Sequence, residues 1–184
     1  MTPPDRVGTG LKFPNSLESF SATAKRMGLE SSSVVLRSEA RPATIDEAEM
    51  LTIAPGTPLF HLDRIRRLGD VSVALDSSNV PTSYAPELDL ADFRTASLYE
   101  ELARAGLDLA RADTVIESRG ADAAVVEQLG IAVGKPTLLM FQTVLDPRGR
   151  PIYASRIQYA GDRYRLRTFF ARSLPTERHH HGHE

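Results

Sequence analysis

The stretch Asp146–Leu166, DPRGRPIYASRIQYAGDRYRL, decides the fold that this sequence predicts. A β-forming run, Thr137–Leu145, leads into its Asp-Pro-Arg-Gly segment, where Pro and Gly favour a reversal of the chain. The chain then returns through a second β-forming run, Pro151–Tyr159. The sequence therefore predicts a β-hairpin that carries polar side chains along its length.

An earlier part of the chain follows the same plan. Pro58–Leu68 is a β-forming run that leads into Gly69-Asp70, and Val71–Pro81 is the returning run. The segment before this hairpin, LTIAPGTP, aligns with LGIAVGKP before the other, at a spacing of about 78 residues. Two interpretations stay open: the chain is duplicated internally, or this pattern is a common connection between a helix and a strand.

Capping signals predict helices in the first part of the chain. A helix is expected over Ser19–Met27, because its apolar residues share one helical face and Gly28 suits a C-terminal cap. Thr44 and Glu47 have the spacing of a capping box at the start of a second helix. The buried face predicted for this second helix consists of Ile45, Ala48 and Leu51.

Similar signals occur in the second part. Ser97 stands at an N-cap position with Glu100 three residues later, and an apolar stripe follows as far as Gly106. A further short helix is predicted over Asp122–Leu129. Each predicted hairpin is therefore preceded by a short helix.

Two further runs, Ser32–Glu39 and Leu109–Arg119, read as strands. With 184 residues and 41% hydrophobic content, the chain suits one well-buried domain. Hairpins joined by short helices indicate the α+β class. The predicted architecture is an antiparallel sheet of two pseudo-symmetric helix-plus-hairpin halves, with short helices packed alongside.

The amino-acid composition argues against several classes of function. The formal net charge is −2, so there is no overall attraction to nucleic acid or to an anionic membrane. The chain has no cysteine, which excludes disulfides and thiolate metal sites and is compatible with a reducing cytoplasm. No apolar run approaches the ~20 residues that span a bilayer, and no signal-peptide core occurs in Met1–Arg6. We expect a cytoplasmic protein with no membrane partner and no cofactor.

The ordered set of motifs resembles the UTRA domain. The residues that carry the resemblance are Ser19-Phe20, Asp63–Arg67 (DRIRR), Ser97-Leu98-Tyr99, Gly130 before a Gly-x-Pro connection, and Asp-x-x-Gly-x-Pro-Ile closing on Tyr-x-Gly-Asp-Arg-Tyr. The UTRA domain is the effector-binding and dimerisation domain of the HutC subfamily of GntR-type transcription regulators, with a chorismate-lyase-like fold. The resemblance covers about Leu17–Leu166. It implies an N-terminal arm or linker over residues 1–16, a UTRA-like domain over residues 17–172, and a disordered His-rich tail over residues 173–184.

The resemblance also implies a ligand pocket between the two halves. In relatives that bind phosphorylated sugars, helix N-terminal groups and arginines hold the phosphate, and the matching residues here are Ser19, Arg64, Arg66 and Ser97. The chemistry is suitable, because helix N-terminal amides and guanidinium groups bind anions. Arg64 and Arg66 share one strand face by alternation. The alternatives are that Ser97 only caps its helix and that the arginines lie on a solvated face of the sheet.

Four more residues are implied as ligand contacts. Asp76 stands where the family commonly has a Glu that binds ligand hydroxyls, Tyr159 matches a ligand-contacting Tyr, and Ser155 lies on the same strand face. Tyr153 occupies a position where sugar-phosphate binders often have Glu. Its ring would stack on a ligand or would pack across the strands, and a ligand more apolar than an amino-sugar phosphate fits equally well.

Three functional hypotheses follow. The first is the effector-binding domain of a regulator that forms a homodimer, senses a small anion such as a phosphorylated sugar, and contacts DNA only through a winged-helix domain not present in this chain. The second is a chorismate-lyase-like enzyme, although the one His before the tail, His61, has no evident nucleophile to activate, and we assign no catalytic or metal-binding residues. The third is a stand-alone dimerisation module without a ligand.

Overall fold

A computed structural model describes residues 18–165, in which six strands form one sheet and four short helices pack on it. The N-terminal arm and the His-rich tail predicted above lie outside the described residues. The helices are α1 (Phe20–Arg26), α2 (Ile45–Leu51), α3 (Leu98–Arg104) and α4 (Ala123–Leu129), with one 3-10 turn at Leu88–Leu90. The strands are β1 (Ser31–Pro42), β2 (Pro58–Leu68), β3 (Val71–Pro81), β4 (Arg111–Gly120), β5 (Pro136–Leu145) and β6 (Pro151–Ala160). None of the helices among these residues is long and apolar enough to cross a bilayer.

The sheet is antiparallel throughout, with the strand order β1-β2-β3-β6-β5-β4. Each half has the same succession: α1-β1-α2-β2-β3 in the first and α3-β4-α4-β5-β6 in the second. Corresponding helices begin about 78 residues apart, which is the spacing of the sequence repeat. The two halves meet where β3 pairs with β6, and the predicted pseudo-symmetric α+β architecture is confirmed.

Residues that favour tight turns determine where the chain reverses in both hairpins. The β5–β6 turn is held by Asp146, whose Oδ1 accepts hydrogen bonds from the amides of Arg148 and Arg150, each at 2.9 Å. Gly149 in this turn has φ 80°, and Gly69 in the β2–β3 turn has φ 54°. These backbone conformations favour glycine over residues with a side chain. Both hairpins therefore begin and end where the Pro and Gly positions predicted.

The capping box at the start of α2 is present. The Glu47 amide donates to Thr44 Oγ1 at 3.3 Å, and the Thr44 amide donates to Glu47 Oε2 at 2.9 Å. Ala48 and Leu51 are buried as predicted, but Ile45 is 66% exposed, so its assignment to the buried face is wrong. Ile45 is the first residue of α2, and the helix makes its contacts with the sheet from the second turn onward.

Both faces of the sheet are covered in its centre. On one face, α2 packs against Leu59 and Ala154, and α4 packs against Ile65 and Ala160. On the other face, α3 and the segment that precedes it enclose the main apolar cluster, which includes Phe60, Leu62, Phe93, Leu98, Leu102, Val144 and Ile152. Polar side chains on the central strands are consequently enclosed within the protein.

A polar network lies on the face covered by α2. Arg41 donates to Glu47 Oε2 at 2.8 Å and to Glu47 Oε1 at 2.6 Å, and its Nη2 lies 3.0 Å from His61 Nδ1. The hydrogen bonds from Arg41 lower the pKa of Glu47 to about 2. His61 Nε2 lies 3.1 Å from Asp63 Oδ2, and this contact raises the pKa of the imidazole. The network joins β1, α2 and β2 away from the residues predicted to bind a ligand.

We expect Glu47→Gln to lower the free energy of unfolding by about 1–2 kcal/mol near neutral pH, because it removes a charge-assisted pair. Since the pKa of Glu47 falls from 4.5 to about 2 on folding, the pair stabilises the protein above this window, and the stabilisation is lost as the pH falls through it. Urea unfolding at several acidic pH values should show the wild-type and variant curves converging. Glu49→Gln, an exposed change on the same helix, is the control, and a constant wild-type to variant difference down to the lowest pH would contradict the expectation.

Candidate functional site

All eight residues predicted for the ligand site are buried, none being more than 8% exposed. The expectation that Arg64 and Arg66 share a strand face holds, and the alternative of a solvated face is wrong because the two side chains are only 3% and 4% exposed. Helices and loops cover this face and exclude water from it. The eight residues are Ser19, Arg64, Arg66, Asp76, Ser97, Tyr153, Ser155 and Tyr159.

The register of the sheet brings residues of both halves to one face. Arg64 on β2 pairs with Asp76 on β3, which in turn pairs with Ile157 on β6. Directly paired residues in an antiparallel sheet point to the same side. Tyr153, Ser155 and Tyr159 alternate with residues of the opposite face and therefore lie on the same side as the two arginines. We call this side of the sheet the site face.

A buried ion pair lies at the centre of the site face. Arg64 Nη2 donates to Asp76 Oδ2 at 2.7 Å, and Ser78 Oγ donates to Asp76 Oδ1 at 2.9 Å. The guanidinium carbon of Arg64 also lies 5.6 Å from the centre of the Phe93 ring. The Nε and Nη1 atoms of Arg64 are buried and have no hydrogen-bond partner in the part of the chain that the structure describes. Asp76 therefore satisfies only part of the donor capacity of Arg64.

Arg66 is buried without a carboxylate of its own. Its Nη2 donates to Ser21 Oγ at 3.3 Å, its guanidinium lies 4.5 Å from the centre of the Phe20 ring, and its Nε has no partner. Burial lowers the pKa of Arg66 to about 10, and the positive charge of Arg64 adds to this effect. Asp76 opposes the effect only in part. The side chain is still a cation at neutral pH, and it lacks a bonded counter-ion among the described residues.

The two serines at helix starts differ in their hydrogen bonds. Ser19 Oγ accepts from the Ala22 amide at 3.0 Å and caps α1. Ser97 stands at the N-cap position of α3 but makes no capping hydrogen bond, so the capping box predicted with Glu100 is wrong. The ψ of Ser97 is 123°, compared with 157° for Ser19. The Ser97 hydroxyl is buried and has no partner among the described residues.

Tyrosines form one wall of the site face. Tyr153 contacts Tyr99 of α3 edge to face, with ring centres 5.7 Å apart and a hydrogen bond between the hydroxyls. Burial raises the pKa of both hydroxyls above the ordinary tyrosine value. Tyr159 stacks on Tyr164 with ring centres 3.6 Å apart, while the nearby Ser155 hydroxyl is buried without a partner. Tyr153 thus packs in the core, as one of its two interpretations expected, and remains a predicted ligand contact.

Several contacts of the site were not assigned from the sequence, among them Ser78, Tyr99 and Phe93. Ser78 could have been found, because it follows Asp76 at the two-residue spacing of a strand face. Tyr99 belongs to the Ser-Leu-Tyr motif, but nothing local indicates that it would reach Tyr153. Phe93 lies in an irregular segment, and its position beside Arg64 depends on how the chain packs after β3.

Five buried polar atoms that have no partner among residues 18–165 are the main chemical feature of this site. They are Arg64 Nε, Arg64 Nη1, Arg66 Nε, Ser97 Oγ and Ser155 Oγ. Leaving such a group unpaired costs about 1–3 kcal/mol each, so their presence on one face is unfavourable for the protein alone. Each atom of this set can donate a hydrogen bond to an acceptor. Within residues 18–165, no group of three or more acidic or histidine side chains is placed to hold a metal ion.

A duplicated antiparallel sheet with helices on both faces defines the chorismate-lyase-like α+β class. The chain belongs to the UTRA domain family, whose model matches residues 26–165. Domains of this family are the effector domains of GntR-type transcription regulators.

Relatives and solved structures agree with this assignment. The chain is 28% identical over 149 residues to the HTH-type transcriptional repressor NagR of Bacillus subtilis, covering 80% of this chain and 61% of NagR. It is 26% identical over 153 residues to the repressor PhnF of Mycolicibacterium smegmatis, covering 83% of this chain and 63% of PhnF. The chain thus spans about three fifths of the length of these relatives. The crystal structure of the PhnF effector domain from Mycobacterium smegmatis superposes with a TM-score of 0.81 at 25% identity, covering 88% of this chain and 99% of that one.

The buried ion pair can be tested by a double-mutant cycle. We expect Arg64→Met to lower the free energy of unfolding by about 3–5 kcal/mol, because it leaves the Asp76 carboxylate buried and unpaired. Adding Asp76→Asn should restore most of the loss, since the lone charge is then removed. Urea unfolding of the two single variants and the double variant measures the coupling. Additive losses in the double variant would mean that the two side chains do not stabilise each other.

Proposed function

We propose that this chain is the effector-binding and dimerisation domain of a GntR-type regulator of the HutC subfamily. Its ligand is a small anionic metabolite such as a phosphorylated sugar. The observation that carries the proposal is the set of five buried, unpartnered polar atoms on the site face. Four side chains contribute them: Arg64 and Arg66 from the first half, and Ser97 and Ser155 from the second.

Charge and hydrogen-bonding capacity both favour an oxyanion. Two guanidinium groups face one carboxylate, and the three unpartnered nitrogens can only donate hydrogen bonds. An oxygen-rich anion offers several acceptors in a small volume, and charge-assisted bonds to it are about twice as strong as neutral ones. Phosphate and carboxylate groups meet this description.

The arginines are better explained by binding than by stability. Arg66 has one hydrogen bond of 3.3 Å and a ring contact, which is poor compensation for burying a cation. Buried groups that break the usual rules of packing concentrate at functional sites. An arriving anion would supply the missing counter-charge and the missing hydrogen-bond acceptors together.

The position of the site supports a sensing role. Its side chains come from both halves of the sheet and from the helices α1 and α3, so a bound anion would draw these elements together. A ligand that binds one arrangement of the halves better than another shifts the population towards it. The relatives are DNA-binding repressors, which supports a non-enzymatic role in the cytoplasm, with DNA bound by a winged-helix domain outside residues 26–165.

Arg66→Met tests the anion site without breaking an ion pair. We expect hexose phosphates or inorganic phosphate to raise the melting temperature of the wild type, and we expect affinity to fall at least tenfold in the variant. The stability of the unliganded variant should be unchanged or higher, because a buried cation is replaced by an apolar side chain. Arg156→Met, an exposed change on the opposite face of the same sheet, is the matched control.

The result can also contradict the proposal. Wild-type protein that is not stabilised by any phosphate or carboxylate compound would count against sensing. Equal affinity in the Arg66→Met and Arg156→Met variants would place binding elsewhere. Recovery of a chemically altered compound after incubation would favour the chorismate-lyase-like enzyme.

The dimer proposal is supported by the edge strand β4. This strand has ten residues, pairs only with β5 among the described strands, and is exposed at all but one position. Val115 is 59% exposed and Ile116 is 40% exposed, and they point to opposite faces. A long, exposed edge with apolar side chains is a template for pairing with another strand. The occupant that we propose is β4 of a second copy of this chain.

Self-pairing of β4 has a favourable antiparallel register. When Ile116 lies opposite Ile116 of the second copy, Asp113 of each copy lies opposite Arg119 of the other. A twofold axis repeats this contact, so two opposite-charge pairs flank the apolar centre. If Val115 is placed at the centre instead, Arg111 faces Arg119 and Asp113 faces Glu117, which is repulsive.

We expect Ile116→Lys to convert the dimer into a monomer, because two like charges would meet at the axis. Multi-angle light scattering at several concentrations measures the change. Val133→Lys, a change at a 77% exposed position in the loop before β5, should remain dimeric. Exchanging the charges in Asp113→Arg/Arg119→Asp should keep the dimer, while each single change weakens it, and a dimer indifferent to all of these changes would refute this interface.

A further inference from the structure

We infer that Asp76 makes the site selective for an oxyanion that carries a single negative charge. The inference rests on the anion site proposed above and names the class of ligand that this site accepts. The chemistry is shared by a carboxylate and by a phosphate ester in its singly protonated form. It identifies Asp76 as a residue that determines specificity rather than as a simple acceptor for the ligand.

The charges that face the site can be counted. The ionisable side chains that act on one another there are Arg64, Arg66, Asp76, Tyr99, Tyr153, Tyr159 and Tyr164. Burial keeps the tyrosine hydroxyls protonated at neutral pH. Among residues 18–165, two cations and one carboxylate remain at the site, and their formal sum is a single positive charge. One negative charge on the ligand neutralises it.

Asp76 is built into the site and is not a side chain that moves aside easily. Its Oδ2 accepts from Arg64 at 2.7 Å, its Oδ1 accepts from Ser78 at 2.9 Å, and it is 8% exposed. Displacing it would leave a buried carboxylate without its cation, which is strongly unfavourable. The ligand therefore meets Arg64 with Asp76 still attached and uses the remaining Nε and Nη1 donors.

A second negative charge on the ligand would have no partner. The site is enclosed by α1, by α3 and by Phe93, so water cannot screen the excess charge as it does at a surface. The extra charge would also repel the Asp76 carboxylate across Arg64. A dianion therefore binds more weakly than a monoanion of the same shape, even though its attraction to each arginine is greater.

Inorganic phosphate and sulfate provide the test in the wild-type protein. Both are tetrahedral, but phosphate passes from monoanion to dianion near neutral pH, whereas sulfate is a dianion throughout. We expect phosphate affinity, measured by NMR titration at constant ionic strength, to fall about tenfold from about pH 6 to about pH 8. Sulfate should bind weakly, and its affinity should not change over this range.

Asp76→Asn removes the carboxylate and keeps the side-chain size. With two cations left unopposed, sulfate affinity should rise at least tenfold, and phosphate affinity should no longer fall with pH. Arg156→Met on the opposite face of the sheet is the control, because it leaves the charge count of the site unchanged, so its pH profile should match the wild type. If Asp76→Asn does not fold, the wild-type profiles decide the question alone.

The outcomes separate this inference from the proposed function. Phosphate binding that strengthens with pH in the wild type and is lost in Arg66→Met would leave the anion site in place and overturn the charge selection. If phosphate, sulfate and the carboxylate gluconate all fail to bind, the anion site itself is refuted, and the inference fails with it. Gluconate affinity that is constant with pH and exceeds that of glucose 6-phosphate would identify the carboxylate as the preferred group. Glucose 6-phosphate affinity that exceeds that of gluconate and falls with pH would identify the singly protonated phosphate ester.

Discussion

The burial of two arginines on a central strand is the constraint on which the rest of this structure depends. β2 is covered on both faces, so Arg64 and Arg66 cannot reach bulk solvent in the way that arginines on an exposed sheet do. Asp76 forms an ion pair with Arg64. The guanidinium of Arg64 also lies near the Phe93 ring, and that of Arg66 lies over the Phe20 ring. The remaining donors have no partner among the described residues, and this deficit is the basis of the proposed affinity for an anion.

The two halves of the duplicated fold carry different side chains at the positions that correspond to Arg64 and Arg66. Residues about 78 positions after Arg64 and Arg66 are Gln142 and Val144, on the equivalent strand β5. Val144 belongs to the apolar cluster with Phe60 and Leu62, so the position in the second half that corresponds to Arg66 is part of the hydrophobic core. The backbone symmetry thus gives two equivalent pairs of positions. Two arginines occupy the pair on β2, whereas Gln142 and Val144 occupy the pair on β5.

Local chemistry made most of the fold predictable. The Asp146–Gly149 turn, the Thr44–Glu47 capping box and the glycines after helices each act over a few residues, and the structure has them where the sequence indicates. The wrong predictions concern positions whose surroundings depend on contacts between distant parts of the chain. Ile45 has an apolar side chain on the predicted face but extends past the sheet, and Ser97 has the right residue type for a cap but a different ψ. Alternation placed Arg64 and Arg66 together on one face, but only the packing of α1 and Phe93 decided that they would be buried.

A short stretch of chain would connect the proposed ligand site with the proposed dimer edge. Tyr99 of α3 contacts Tyr153 on the site face, and six residues after α3 the chain enters β4, the proposed interface strand. Leu107 and Leu109 in this connection pack against the same apolar cluster that contains Tyr153. A change in the position of α3 on binding would therefore be carried to β4 by packed side chains as well as by the backbone. Ser97 stands at the N-cap position of α3, and its hydroxyl has no partner among the described residues, so the helix that would complete the proposed anion site also leads into the proposed dimer edge.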